Sequence, residues 1–139
     1  MTNNEIRVVL FDFGGVLAEE GFRNGLVALA REQGLDVATM PQAGMKAVYD
    51  SGFVLGQGTE VDFWSLLCAR TGLLGDSKML TDRILDGFVI RPWMITLVRE
   101  LREQGYSTGI LSDQTNWLDR LDEKKQFKAE FDHVFNSFY

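Results

Sequence analysis

Residues 6–17, with the sequence IRVVLFDFGGVL, constrain the fold of this chain more than any other segment. Residues 6–11 are almost continuously apolar and rich in β-branched side chains, which is typical of a strand buried on both faces of a parallel sheet. The strand runs directly into Asp12, and Gly14 and Gly15 then disfavour its continuation as a strand or a helix. The sequence therefore predicts an α/β protein with a carboxylate at the end of its first strand.

Residues 22–85 show helical periodicity instead, in four amphipathic segments separated by glycines. We expect four helices and no strand in this stretch. Their predicted apolar faces carry Leu26, Leu29 and Ala30; Met45, Val48 and Tyr49; Val61, Trp64, Leu67 and Cys68; and Met79, Leu80, Ile84 and Leu85.

The α/β pattern returns after Arg91 and Pro92. Residues 93–104 are amphipathic, with Pro92 at their start and Gly105 just beyond their end, which indicates a helix. The pattern then predicts a strand over 106–111, a helix over 117–127 and a strand over 131–135. We therefore expect a Rossmann-like parallel sheet of about three strands, with a helical module inserted after the first strand.

Composition excludes several classes of protein. The 139 residues, 45% of them hydrophobic, are enough for one domain with a core and are not those of a disordered chain. The 20 acidic and 14 basic residues give a net charge of −6, which argues against binding to nucleic acid. No apolar run approaches the ~18 residues of a membrane helix, and residues 1–13 do not read as a signal peptide. With Cys68 as the one cysteine, we expect a cytoplasmic protein that does not bind membranes.

Two polar segments follow predicted strands, at the edge of the sheet where such folds bind ligands. They are Asp12 after the first strand, and Ser112 with Asp113 after the second, and they meet only if these strands are neighbours. Asp12 could act as a covalent nucleophile, bind a metal ion, or cap backbone N–H groups of its own turn. Ser112 could hold phosphoryl oxygens or cap the following helix.

These segments together resemble the haloacid dehalogenase (HAD) superfamily of hydrolases, in the branch whose helical cap is inserted after the first strand. Residues 6–17 are similar to its first motif, and residues 107–113 (STGILSD) to its second. Arg91-Pro92 and residues 101–106 fit the return from cap to core. The resemblance covers essentially the whole chain. It implies a core formed by residues 1–17 and 91–139 and a cap formed by residues 18–90.

The resemblance also implies roles for residues of the first two motifs. Asp12 would be the nucleophile that forms an aspartyl intermediate, and it would bind Mg²⁺ together with the carbonyl oxygen of Gly14.

Ser112 would be the second catalytic residue and would bind the transferring group, helped by the amide of Asp113. The loop of Phe13, Gly14 and Gly15 would contact the substrate, a small phosphorylated metabolite. The cap would close over the site and select that substrate.

Two departures from the family pattern bear on activity. Phosphatases of the family have an aspartate acting as general acid and base at the position of Gly14. Glycine there favours leaving groups that need little protonation, or a water or cap residue as a substitute. The family's third and fourth motifs, a lysine and an acidic pair, do not occur after the third predicted strand, and we interpret Lys124 and Lys125 as solvated surface.

The resemblance implies that two further strands would pair beside the first one, and they are not predicted in this sequence. Without them the first strand is an exposed apolar edge, so we expect self-association or a need for a complementing segment.

Three functions remain open on the sequence. The first is a phosphatase-type hydrolase, the second a catalytically incomplete remnant or interaction module of the same fold, and the third a 2-haloacid dehalogenase, which needs no magnesium.

Some residues that could carry chemistry are expected to pack in the core or the cap instead, namely Phe63, Trp64, Trp93 and Cys68. His133 is not expected to bind a ligand.

Overall fold

A three-stranded parallel sheet organises the structure, a computed structural model that describes residues 5–138. Its strands, in spatial order, are β1 (Val8–Phe11), β2 (Ser107–Ser112) and β3 (His133–Asn136). Phe11 pairs with Ile110 and Ser112 with Asn136, so the carboxyl ends of the strands lie at one edge of the sheet. The prediction of an α/β fold with three parallel strands is confirmed.

Six α-helices accompany the sheet in the described part of the chain. Four lie between β1 and β2, namely α1 (Gly21–Glu32), α2 (Met40–Asp50), α3 (Glu60–Thr71) and α4 (Ser77–Asp86). The other two are α5 (Pro92–Glu103) and α6 (Trp117–Lys125), and short 3₁₀ turns occupy Phe53–Leu55 and Lys128–Glu130. Every predicted helix is present. Within residues 5–138, no helix has both the length and the hydropathy to cross a membrane.

Local sequence explains where the helices of the insert begin and end. Thr59 and Asp62 form a capping box at the start of α3, in which each side chain accepts the other's backbone N–H, at 3.1 and 2.9 Å. Gly72 ends α3 with φ 81°, a conformation that glycine adopts without steric cost. Asp76 caps α4 by accepting the Met79 N–H at 2.8 Å.

The inserted helices share a core that continues into α6. Phe63 and Trp64 of α3 are fully or almost fully buried. The ring of Trp117, at the start of α6, meets Phe53 at 5.4 Å and Phe63 at 6.0 Å, both edge to face. This aromatic cluster joins the helical insert to the part of the chain that follows β2.

The segments that lead into and out of the insert pair with each other. The Glu19 N–H donates to the Val89 carbonyl and the Arg91 N–H to the Leu17 carbonyl, both at 2.8 Å. The Arg91 guanidinium holds both oxygens of the Glu19 carboxylate at 3.0 Å, and this hydrogen bonding keeps the pKa of Glu19 below its ordinary value. Arg91 also donates to the Gly15 carbonyl at 2.9 Å, which ties the loop after β1 to both connections. The division into a core and a cap stays a prediction.

Several predicted burial patterns are wrong. β1 is not buried on both faces, since Val8 and Leu10 are 47% and 46% exposed because they lie on an uncovered face of the sheet. Trp93 does not pack in a core but is 63% exposed beneath the Arg91 guanidinium, 6.0 Å from the ring centroid. Four residues assigned to apolar helix faces are also exposed, namely Met45, Tyr49, Val61 and Met79.

We predict that Thr81→Val lowers the free energy of unfolding by about 1–3 kcal/mol, because the buried indole N–H of Trp64 then has no acceptor. The Thr81 hydroxyl is fully buried and accepts the Trp64 indole N–H at 2.8 Å. Urea denaturation measures the loss. Thr81→Ser keeps the acceptor and should lose less. Equal stability of Thr81→Val and the wild type would contradict the prediction.

Candidate functional site

A cavity of about 220 Å³ opens at the carboxyl ends of β1 and β2. Because these strands are parallel neighbours, Asp12 and Asp113, which follow them, line the same cavity. From the sequence, we expect these residues to share a site only if the two strands are neighbours. The strand order β1-β2-β3 makes them neighbours. The full lining is Asp12, Gly14, Glu20, Phe22, Met45, Val48, Tyr49, Val54, Asp113, Gln114, Thr115 and Trp117.

Asp12 is exposed to this cavity and is only partly committed to its own turn. One carboxylate oxygen, Oδ1, accepts the Phe13 N–H at 2.7 Å. This bond realises the turn-capping role that the sequence left open. No hydrogen bond or salt bridge within residues 5–138 engages the second oxygen, so Asp12 can cap its turn and still present an oxygen to a ligand.

The loop after Asp12 turns tightly around Phe13. The Phe13 carbonyl accepts the N–H groups of Leu17 and Ala18 at 2.9 and 3.1 Å, and Gly15 has φ 80°. The Phe13 ring is completely buried and stacks on Phe127 at a centroid distance of 4.9 Å. Phe13 therefore anchors the loop in the core, and neither Phe13 nor Gly15 lines the cavity, whereas Gly14 does.

Ser112 ends β2 as a buried residue. Its hydroxyl accepts the Gln114 N–H at 3.0 Å, which shapes the turn after the strand. The helix-capping alternative is wrong, because the first N–H of α6, from Trp117, bonds instead to the Thr115 hydroxyl at 3.2 Å. Ser112 lines a depression beside β3, whereas Asp12, Gly14 and Asp113 line the cavity described above.

Glu20 is a cavity residue that the sequence pattern did not identify. It is the residue before α1, where glutamate is common because it interacts favourably with the helix dipole, so nothing in the sequence pattern points to a role in the site. Burial, followed by the charges of Asp12 and Asp113, raises the pKa of Glu20 above its ordinary value. Arg23 acts in the opposite direction and does not cancel the shift. Raised carboxyl pKa values in a cavity are typical of functional sites.

The wall opposite the carboxylates is apolar and comes mostly from the inserted helices. Phe22, Val48 and Val54 contribute it together with Met45 and Tyr49, which are exposed because they face the cavity rather than the core. A ligand would therefore have its polar end at the strand termini and a less polar end against the helices.

The charge around the cavity is negative. Among its lining residues there are three carboxylates, from Asp12, Glu20 and Asp113, and neither lysine nor arginine. Lys124 and Lys125 are exposed on α6, as predicted, and do not line it.

The magnesium site implied by the resemblance is not formed by these residues. Asp12 would offer one free oxygen and Gly14 a carbonyl, whereas Mg²⁺ requires near-octahedral coordination by oxygen. Within residues 5–138, no group of three histidine, cysteine, aspartate or glutamate side chains is placed to hold a metal ion.

We predict that Glu20→Gln is more stable than the wild type at about pH 8 and that this advantage disappears towards about pH 4. The folded-state pKa of Glu20 is raised, so ionisation opposes folding above that pKa and has no effect below the unfolded-state value. Urea denaturation at several pH values measures the difference. Glu123→Gln, an exposed change on α6, is the control and should show no such trend. A pH-independent difference for Glu20→Gln would contradict the assignment.

Comparison with known proteins identifies the fold. No protein-family model and no curated protein matches the chain. Solved structures do match, among them the HAD family enzyme BT-2542 from Bacteroides thetaiotaomicron, with a TM-score of 0.65 and 19% identity over 96% of this chain and 69% of that chain. A predicted HAD-like family hydrolase from Porphyromonas gingivalis gives a TM-score of 0.61 and 23% identity over 96% and 67% of the two chains.

The matches include structures with bound ligands. L-2-haloacid dehalogenase from Xanthobacter autotrophicus, solved with chloropropionic acid covalently bound, gives a TM-score of 0.62 and 19% identity over 95% of this chain and 57% of that chain. BT-2542 has been solved in complex with magnesium and inorganic phosphate. This chain spans 57% of the dehalogenase and 69% of BT-2542. The chain therefore has the Rossmann-like α/β fold of the HAD-like hydrolases.

Proposed function

We propose that the chain is a HAD-like hydrolase that removes the phosphoryl group from a small phosphorylated metabolite. The observation that carries the proposal is the position of Asp12. It follows β1 directly and presents a free carboxylate oxygen to a cavity whose other wall comes from the inserted helices. A carboxylate held in this way is suited to nucleophilic attack.

The proposed reaction has two steps. In the first, the free oxygen of Asp12 attacks phosphorus, the bond to the leaving oxygen breaks, and an aspartyl phosphate forms. In the second, water attacks phosphorus, the bond to Asp12 breaks, and inorganic phosphate leaves. Gly14 lines the cavity, where its backbone is proposed to contact the phosphoryl group. No step is assigned to magnesium, and dependence on added magnesium stays a prediction that the assay below measures.

The remaining roles are proposals of the same kind. Ser112 acts through the turn that it holds, because its hydroxyl accepts the Gln114 N–H and so fixes the backbone around Asp113. Phe13 and Gly15 act by shaping the loop, since neither lines the cavity. Met45 and Tyr49 contact the organic part of the substrate. Location in the cytoplasm remains a prediction from the sequence.

The dehalogenase alternative is retained because Gly14 offers no carboxyl group and a halide needs no proton to leave. Attack by Asp12 on carbon would then form an ester. The alternative of an incomplete remnant is favoured by the three carboxylates of the lining and the lack of a basic residue there. One assay separates all three.

We expect Asp12→Asn to reduce hydrolysis by at least about a thousandfold, because the amide cannot act as the nucleophile. The panel is acetyl phosphate, a hexose 1-phosphate, p-nitrophenyl phosphate and 2-chloropropionate, each with and without magnesium. Asp86→Asn, an exposed change at the end of α4, is the matched control and should keep wild-type rates. Release of chloride without phosphatase activity would select the dehalogenase. Failure of the wild type on every substrate would select the remnant.

The sheet also presents a surface for self-association. Val8, Leu10, Leu111 and Phe135 share one face, and Leu111 and Phe135 are 56% and 51% exposed. Within residues 5–138, β1 pairs with β2 alone, so its other edge is open. We propose that a second copy of the chain covers this apolar face and edge.

We predict that Leu10→Lys shifts the chain from dimers or larger species towards monomer, because a charge on this face must be desolvated on association. Light scattering coupled to size-exclusion chromatography measures the mass over a range of concentrations. Leu74→Lys, at another exposed leucine, between α3 and α4, is the control and should not alter the mass. A wild type that is monomeric at all concentrations would refute the proposal.

A further inference from the structure

The space above Gly14 is occupied by a carboxyl group from another part of the chain. A Cβ atom built on Gly14 would lie 3.2 and 3.3 Å from the two carboxylate oxygens of Glu20 and 3.3 Å from Nε2 of Gln114. Glu20, Gly14 and Asp12 line the same cavity. The missing side chain at position 14 therefore leaves room that Glu20 uses.

The backbone that carries Glu20 is fixed in place. It lies between Glu19, whose N–H bonds to the Val89 carbonyl at 2.8 Å, and the first turn of α1, where the Asn24 N–H bonds to the Glu20 carbonyl at 3.1 Å. The Glu20 carboxylate itself takes part in no hydrogen bond or salt bridge within residues 5–138. It is thus a positioned group with unused hydrogen-bonding capacity, directed at the cavity.

We propose that Glu20 is the proton-transferring residue of this site. The inference rests on the proposed function. It names the residue that transfers protons, which the two-step reaction above does not assign. In the first step the Glu20 carboxyl gives its proton to the leaving oxygen as the bond from phosphorus to that oxygen breaks, so an alcohol leaves. In the second step the Glu20 carboxylate takes a proton from the attacking water, and Asp12 regains its carboxylate as phosphate leaves. The enzyme returns to its starting protonation state.

The surroundings of Glu20 support this assignment. Asp12 and Asp113 face it from the loops after β1 and β2, and Arg23 faces it from α1. Because Glu20 and Asp12 line the same cavity, Glu20 can carry the proton while Asp12 acts as the nucleophile.

The test is the dependence of rate on the leaving group in Glu20→Gln, which keeps the shape of the side chain and removes its proton. Phenyl phosphate has a poor leaving group, whereas acetyl phosphate and p-nitrophenyl phosphate have good ones. We expect kcat/KM to fall by at least about a hundredfold for phenyl phosphate and by less than about tenfold for the two activated substrates. Glu123→Gln is the matched control and should change neither value.

A second measurement reports on the other half of the reaction. During turnover of acetyl phosphate, mass spectrometry should find more phosphorylated chain for Glu20→Gln than for the wild type, since hydrolysis of the aspartyl phosphate then lacks its base. Asp12→Asn should not be phosphorylated at all.

The outcomes separate the two proposals. If the wild type turns over both kinds of substrate and Glu20→Gln loses rate on them equally, or on neither, the role of Glu20 is overturned while the proposed function stands. If the wild type neither turns over nor becomes phosphorylated, the proposed function fails and the role of Glu20 fails with it.

Discussion

Parallel pairing of β1 with β2 is the constraint on which the rest of the structure depends. The register, with Phe11 opposite Ile110, fixes the residues that follow each strand at the same edge of the sheet. Asp12 and Asp113 are 101 positions apart in sequence and still line one cavity, because every backbone hydrogen bond of the ladder resists a shift in register. The helices inserted between the strands then close the cavity from the opposite side.

The connection between the sheet and the inserted helices depends on Arg91. Its guanidinium donates two hydrogen bonds to the Glu19 carboxylate and one to the Gly15 carbonyl. One side chain therefore joins the segment that enters the insert, the segment that leaves it and the loop after Asp12. This pairing is partly exposed, and its Coulombic contribution to stability is accordingly small. Its structural effect is larger, since Glu20 follows Glu19 directly and takes its position from the same connection.

Much of the fold could be predicted from the sequence, and the reasons are physical. The six helices and three strands follow from periodicity, from Pro92 and Gly105 at the ends of α5, and from the β-branched run of β1. The exposure of Val8 and Leu10 could not be predicted in this way, because a residue's hydropathy does not say whether another element covers its face of the sheet. Periodicity places Met45 and Tyr49 on an apolar helix face, but it does not say that this face lines a cavity.

The candidate site could be predicted only in part, and Glu20, which the sequence pattern did not identify, shows the reason. Asp12 and Gly14 belong to a contiguous motif, whereas Glu20 reaches the cavity only through the turn that places the start of α1 over Gly14. Three carboxylates around one cavity repel each other and any phosphate, and two unit charges 4 Å apart do so by about 4 kcal/mol at an effective dielectric constant of 20. Protonation of Glu20 removes one of those charges. In the proposed reaction the leaving oxygen needs a proton, so one protonated carboxyl group would both lower the repulsion and supply that proton.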